Sequence, residues 1–130
     1  METKPLAIVI EDNEDQNMVF TTALEQAGYQ VESIFNGETA RQKLNEAIPL
    51  LVVLDLHMSD IDGNILLGEI RLDKRMKHTR IILATADAAF ADILETQVDL
   101  VLLKPVSFTQ LNQLASRYLQ QPLKKTQPLS

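Results

Sequence analysis

The sequence predicts an α/β fold, a doubly wound parallel sheet of five strands in (βα)5 order. Three observations carry this expectation. Short apolar runs recur five times along the chain. Three of them are continuous rather than alternating, as in strands buried on both faces. Segments with helical spacing of apolar residues lie between the runs, and strict β–α alternation gives a parallel sheet with right-handed crossovers.

The elements follow in order. The first run, Leu6–Ile10, precedes a stripe of Val19, Phe20, Ala23, Leu24 and Ala27, with Gly28 as its C-terminal stop. The second, Val31–Phe35, is interrupted by Glu32 and Ser33, and the stripe Ala40, Leu44, Ala47 after it is closed by Pro49. The third, Leu50–Leu54, leads to Ile65, Leu66, Ile70 and Leu72. The fourth, Ile81–Ala84, leads to a short stripe of Phe90, Ile93 and Leu94. After the fifth, Leu100–Leu103, Ser107 and Gln110 make a capping-box pattern that opens a last stripe of Leu111, Leu114, Ala115, Tyr118 and Leu119. Residues 1–121 read as one domain, and 122–130 as a tail or the start of a linker.

Hydrophobic residues make up 45% and charged residues 23% of the 130, the balance of a globular domain that buries its core without staples. The absence of cysteine excludes disulfides, zinc–thiolate sites, iron–sulfur clusters and thiol catalysis. Asp and Glu number 18 against 12 Lys and Arg, and the net charge of −6 argues against broad nucleic-acid binding and against anchoring to anionic lipid. The apolar runs fall far short of the ~20 residues of a membrane helix. Met1–Pro5 leads straight into the first strand with no basic segment ahead of a long apolar run, so no signal peptide and a cytoplasmic location are expected.

Ligands of such sheets bind at the carboxyl ends of the strands. Glu11 and Asp12 follow the first run, Asp55 the third, Thr85 the fourth, and Lys104 with Pro105 the fifth. Singly, each has a plainer role: a helix N-terminus, a cap, a turn. Falling in order at four of five strand ends, they read as one site. Three clustered carboxylates repel one another, and a hard divalent cation such as Mg²⁺ would neutralise them. A carboxylate beside Mg²⁺ and a lysine is equipped to receive a phosphoryl group.

At this point the chain resembles the receiver domains of bacterial two-component response regulators, over roughly residues 5–120. LLVVLDLHMSDIDG, from Leu50 to Gly63, carries the resemblance most strongly: an apolar strand, the phosphoacceptor aspartate, Met three residues later, and Asp-Gly closing the loop. IVIEDNE, ILATA and LLKPV are the remaining signatures. The resemblance implies a flavodoxin-like sheet of strand order 2-1-3-4-5. It makes Asp55 the phosphorylated residue, Asp12 a direct Mg²⁺ ligand, Glu11 a looser one, and the His57 backbone carbonyl another. Thr85 and Lys104 would contact phosphoryl oxygens, and Lys104–Pro105 would be cis. The implied function is signal relay. A sensor histidine kinase, a phosphotransfer protein or a small phosphodonor supplies the phosphoryl group, and the surface of the fourth helix, fifth strand and fifth helix switches. The implied partners are that kinase and an effector domain or downstream protein, with a weak homodimer through the same surface, and neither nucleic acid nor membrane. Enzymatic activity would be limited to self-catalysed phosphoryl transfer and autodephosphorylation.

The family's pattern breaks at several positions. Ser59 replaces the usual proline after Met58, which should loosen that loop. Val101 stands where the family has its switch aromatic, Gln97-Val98 replaces a Gly-Ala pair, and the segment from Thr85 to Lys104 is shorter by about one helical turn. His57 and Asp87 occupy positions that tune dephosphorylation in the family. The plainer readings are a solvent-facing His57 side chain and Asp87 as a helix N-cap. His78, among Lys74, Arg75, Lys77 and Arg80, reads as solvated; that basic loop would suit an acidic partner but also a merely solvated face.

Three other functions compete. A pseudo-receiver that binds partners without phosphorylation is favoured by Val101 and the short segment, and opposed by Asp12, Asp55, Thr85 and Lys104. A haloacid-dehalogenase-type phosphatase needs an acid two residues after its nucleophile, where His57 stands, and a nucleophile after the first strand. A flavodoxin-like FMN carrier needs a hydroxyl- and glycine-rich loop after that strand, where EDNEDQ is electrostatically wrong for a phosphate without metal.

Overall fold

In the computed structural model, residues 3–89, 92 and 95–120 are described. The elements are β1 (Leu6–Ile10), α1 (Glu14–Ala27), β2 (Gln30–Ile34), α2 (Gly37–Glu46), β3 (Leu51–Asp55), α3 (Gly63–Leu72), a 3₁₀ turn at Lys74–Met76, β4 (Arg80–Thr85), another at Glu95–Gln97, β5 (Leu100–Leu103) and a C-terminal helix (Phe108–Gln120). All neighbouring strands are parallel, in the order β2-β1-β3-β4-β5. This is the expected doubly wound sheet. The predicted stripe of Phe90, Ile93 and Leu94, and the tail 122–130, lie outside the described residues.

The continuous runs are explained by the two-residue period of a strand. Ile8, Ile10, Val52, Leu54, Ile81 and Leu83 face a core closed by Ala40 and Leu44 of α2 and by Leu66, Leu67 and Ile70 of α3. Their neighbours Ala7, Val9, Leu51, Val53, Ile82 and Ala84 face a second core, closed by Phe20, Ala23 and Leu24 of α1 and by Leu111 and Ala115 of the C-terminal helix.

Three expected stripe members are exposed. Val19 is 39% exposed, Ile65 53% and Leu72 86%. At about 100° per residue, the arc of Leu66, Leu67 and Ile70 puts Ile65 and Leu72 on the far side of α3, and Val19 at the edge of α1. Leu67 takes the buried place instead.

Caps set the helix ends. Asn13 accepts from the Gln16 N–H at 2.9 Å, and Ser107 Oγ from that of Gln110 at 3.0 Å. Gly28 ends α1 at φ 119°, its N–H donating to Leu24 and Glu25 carbonyls. The Lys104–Pro105 peptide is cis, as expected.

Two glycines give opposite expectations. A Cβ at Gly28 would hold a left-handed backbone and meet Leu119 Cδ1 at 3.2 Å, whereas Gly68 in α3 has open space around it. Gly28→Ala should therefore cost about 1–2 kcal/mol in urea unfolding. Gly68→Ala should gain about 0.5–1 kcal/mol.

Candidate functional site

Parallel register brings the strand ends to one edge of the sheet. Asp55, the last residue of β3, pairs with Ala84, and Thr85, the last of β4, pairs with Leu103. Both residues thus belong to their strands rather than to the loops after them, because the ladder runs one residue past the apolar run.

Glu11 and Asp55 are almost wholly buried, and Asp12 is partly so. Oxygens of Glu11, Asp12 and Asp55 lie within 4.8 Å of one another. Lys104 reaches into this group: its Nζ is 3.0 Å from Glu11 Oε1 and 3.3 Å from Asp55 Oδ1. Two of the three carboxylates, Glu11 and Asp55, thus share this ammonium. Burial raises the Glu11 pKa; the Lys104 hydrogen bond opposes that rise and the Asp55 charge adds to it. A set of hard oxygen donors carrying more negative charge than its lysine neutralises fits a divalent cation.

Backbone groups fix the carboxylates. The Asn13 N–H donates to Glu11 Oε2 at 3.2 Å and the His57 N–H to Asp55 Oδ1 at 3.2 Å. The His57 side chain is exposed, in line with its plainer reading. Gly63 closes the same loop: its N–H donates to Leu56 O at 2.9 Å, and a Cβ there would lie 2.5 Å from Asp55 O. Only glycine allows that approach.

Thr85 is fully buried. Its Oγ accepts from the Asp87 N–H at 3.0 Å and its carbonyl from that of Lys104 at 2.8 Å. Asp87 Oδ1 accepts from the Ala89 N–H at 3.1 Å, the contact expected of a cap. Val101, at the position of the family's switch aromatic, is half-buried against the α2–α3 core. His78 is exposed, and two of its basic neighbours are engaged: Arg75 with Asp73, and Arg80 with Asp99 and the Tyr118 ring.

Sequence reasoning missed Asn17 and Asp60. Asn17 is a buried polar residue whose Nδ2 donates to Glu11 O and Ile34 O, both at 3.0 Å, tying the ends of β1 and β2 under the acidic group. Its signal was an amide among the apolar positions of α1, seven residues after Ile10. Asp60 acts on a helix distant in sequence and left no local sign.

The family described as the response regulator receiver domain matches residues 7–116. Transcriptional regulatory protein GltR of Pseudomonas aeruginosa is 35% identical over 107 residues, 80% of this chain and 44% of that protein. Phosphate regulon transcriptional regulatory protein PhoB of Rhizobium meliloti is 29% identical over 110 residues, 82% of this chain and 48% of its own. The chain thus spans less than half the length of either relative, and 18% of a Haloferax volcanii relative that is 31% identical over 83% of this chain. Chemotaxis response regulator CheY4 of Vibrio cholerae superposes with a TM-score of 0.80 at 21% identity, over 89% of this chain and 99% of that one. The signal receiver domain of a Luxo repressor protein from Vibrio parahaemolyticus gives 0.80 at 23%, over 90% and 91%. At these identities the two structures speak for the fold.

Because Glu11 has a pKa above the ordinary 4.5 in the fold, the native state binds more proton than the unfolded chain only between 4.5 and that higher value. This contribution to stability is complete below pH 4.5 and is lost as pH rises through the folded pKa. Metal-free protein should therefore lose stability relative to Glu11→Gln across that window, in urea unfolding with chelator at stepped pH. Parallel profiles would contradict it.

Proposed function

Since the chain belongs to the response regulator receiver domain family, we propose that it takes a phosphoryl group on Asp55 and relays it as a signal. The observation that carries this is the Lys104 ammonium between Glu11 and Asp55, beside Asp12. Glu11, Asp12, Asp55 and the His57 carbonyl would hold Mg²⁺. When bound, Mg²⁺ supplies positive charge for the carboxylates and for the phosphoryl oxygens.

The chain's own groups account for the rest. An Asp55 carboxylate oxygen attacks phosphorus in line with the donor's leaving group, a phosphohistidine nitrogen or an acyl phosphate oxygen. The O–P bond to Asp55 forms as the donor's bond to phosphorus breaks, and the leaving group departs with its electron pair. The His57 N–H holds Asp55 Oδ1 and so orients the nucleophile. Lys104 is placed to pair with an equatorial oxygen. The Thr85 hydroxyl, accepting from Asp87, keeps its own proton to donate to another. Water then hydrolyses the acyl phosphate and resets the site.

The donor in this reading is a sensor histidine kinase or a phosphotransfer protein, and the recipient an effector domain or downstream protein. The short segment between Thr85 and Lys104, with Val101 as an aliphatic filler, points to a readout carried by Thr85 and loop movement rather than by an aromatic rotamer. Val101 is also the observation that favours a phosphorylation-independent module, and the same experiment separates the two.

Intact mass after incubation with acetyl phosphate and Mg²⁺ should show one added phosphoryl group, absent in Asp55→Asn and with chelator. Lys104→Ala should slow its appearance by about a hundredfold, the scale for loss of one charge-stabilising donor. Phosphorylation persisting in Asp55→Asn would place the acceptor elsewhere. No adduct on folded protein would favour the interaction module.

A further inference from the structure

The loop from Leu56 to Asp62 joins the acidic site to α3. Met58 and Ile61 pack on the core, but Asp60 is exposed and points its carboxylate at another helix. Asp60 Oδ1 accepts from the Gly37 N–H at 2.8 Å and Oδ2 from the Glu38 N–H at 3.0 Å. These are the first two N–H groups of α2, which the helix cannot satisfy from within. Asn36, the cap next to the helix in sequence, accepts from Thr39 at 2.8 Å. Thus α2 is capped twice, once by its neighbour and once by the loop that follows the phosphoacceptor. The two N–H groups hold the Asp60 carboxyl below its ordinary range.

The approach is close as well as polar. A Cβ on Gly37 would lie 2.6 Å from Ile61 Cβ, so α2 begins directly against the loop. The helix is fixed in turn to α3, where Arg41 Nε and Nη2 donate to the two oxygens of Glu69 at 3.0 and 2.7 Å. At its far end the loop is closed by Gly63 on Leu56. Within it, Ser59 supplies no ring to fix φ, and the external restraint falls one residue later.

We propose that Asp60 is a positioning residue for the acidic site, its two bonds to the α2 N-terminus holding the β3–α3 loop so that the His57 backbone stays against Asp55. An octahedral Mg²⁺ tolerates little displacement of its ligands, so a loop free to shift would bind it less well. This role rests on the reading of Glu11, Asp12 and Asp55 as the metal site, and the test separates the two.

Mg²⁺ binding to the full chain is measured by calorimetry, and melting temperature in parallel, for the parent, Asp60→Ala, Asp60→Asn and Asn36→Ala. Asp60→Ala should weaken Mg²⁺ binding roughly tenfold, the low end for loss of an outer-shell partner. Asp60→Asn keeps one acceptor and should fall between. Asn36→Ala removes the other cap of the same helix, so it should lower the melting temperature and leave Mg²⁺ affinity unchanged. Parent-like affinity in Asp60→Ala would overturn the role, as would an equal loss in Asn36→Ala. A parent that binds no Mg²⁺ would instead overturn the metal-site reading, and this role with it.

Discussion

The constraint on which the rest of the structure depends is electrostatic. Glu11 and Asp55 are buried, Asp12 stands beside them, and among the described residues one ammonium, Lys104, pairs with Glu11 and Asp55. Carboxylates out of water are costly unless paired, and one cation for three anions leaves the account unbalanced. Burial raises the pKa of Glu11, and the Asp55 charge adds to that rise. A fold that keeps such a cluster gives up stability at the site. The proposed metal and phosphoryl chemistry is what would make use of it.

The fold delivers the cluster through strand ends. Parallel register carries Asp55 and Thr85 to one edge, and the cis peptide after Lys104 stands on the same edge. Hydrophobic layers on both faces make the sheet a rigid platform, so Asp55 sits on a strand, Glu11 and Asp12 directly follow one, and the connecting loops need restraint. Three devices provide it: Asn17 under Glu11, Gly63 against the backbone of Asp55, and Asp60 on α2.

Much of this was legible in the residues. Runs such as Leu6–Ile10 and Leu100–Leu103 announce strands, and they match β1 and β5 residue for residue, although β5, at the sheet's edge, is only partly buried. Glu11, Asp12, Asp55 and Lys104 were legible because they follow such runs in order. The boundaries of β3 and β4 shifted because backbone pairing continues into Asp55 and Thr85, polar residues that end an apolar pattern without ending a strand. Ile65 and Leu72 were misplaced because an apolar residue on a helix does not reveal on which side the sheet lies. Asp60 was unreadable for a different reason. Its partners, Gly37 and Glu38, are backbone groups 23 and 22 residues away, and backbone groups have no sequence signature. Asp99, which accepts from the Ile81 N–H at 2.7 Å and faces Arg71 and Arg80, was hidden in the same way.

The proposal makes the acidic cluster one metal and phosphoryl site. A crystal structure of the full chain with Mg²⁺ and beryllofluoride tests it most directly. The expected result is an ion touching Glu11 or Asp12 together with Asp55 and the His57 carbonyl, and beryllofluoride on an Asp55 oxygen within reach of Lys104 and Thr85. An ion bound away from these carboxylates, or a folded protein whose Asp55 takes no beryllofluoride, would contradict it.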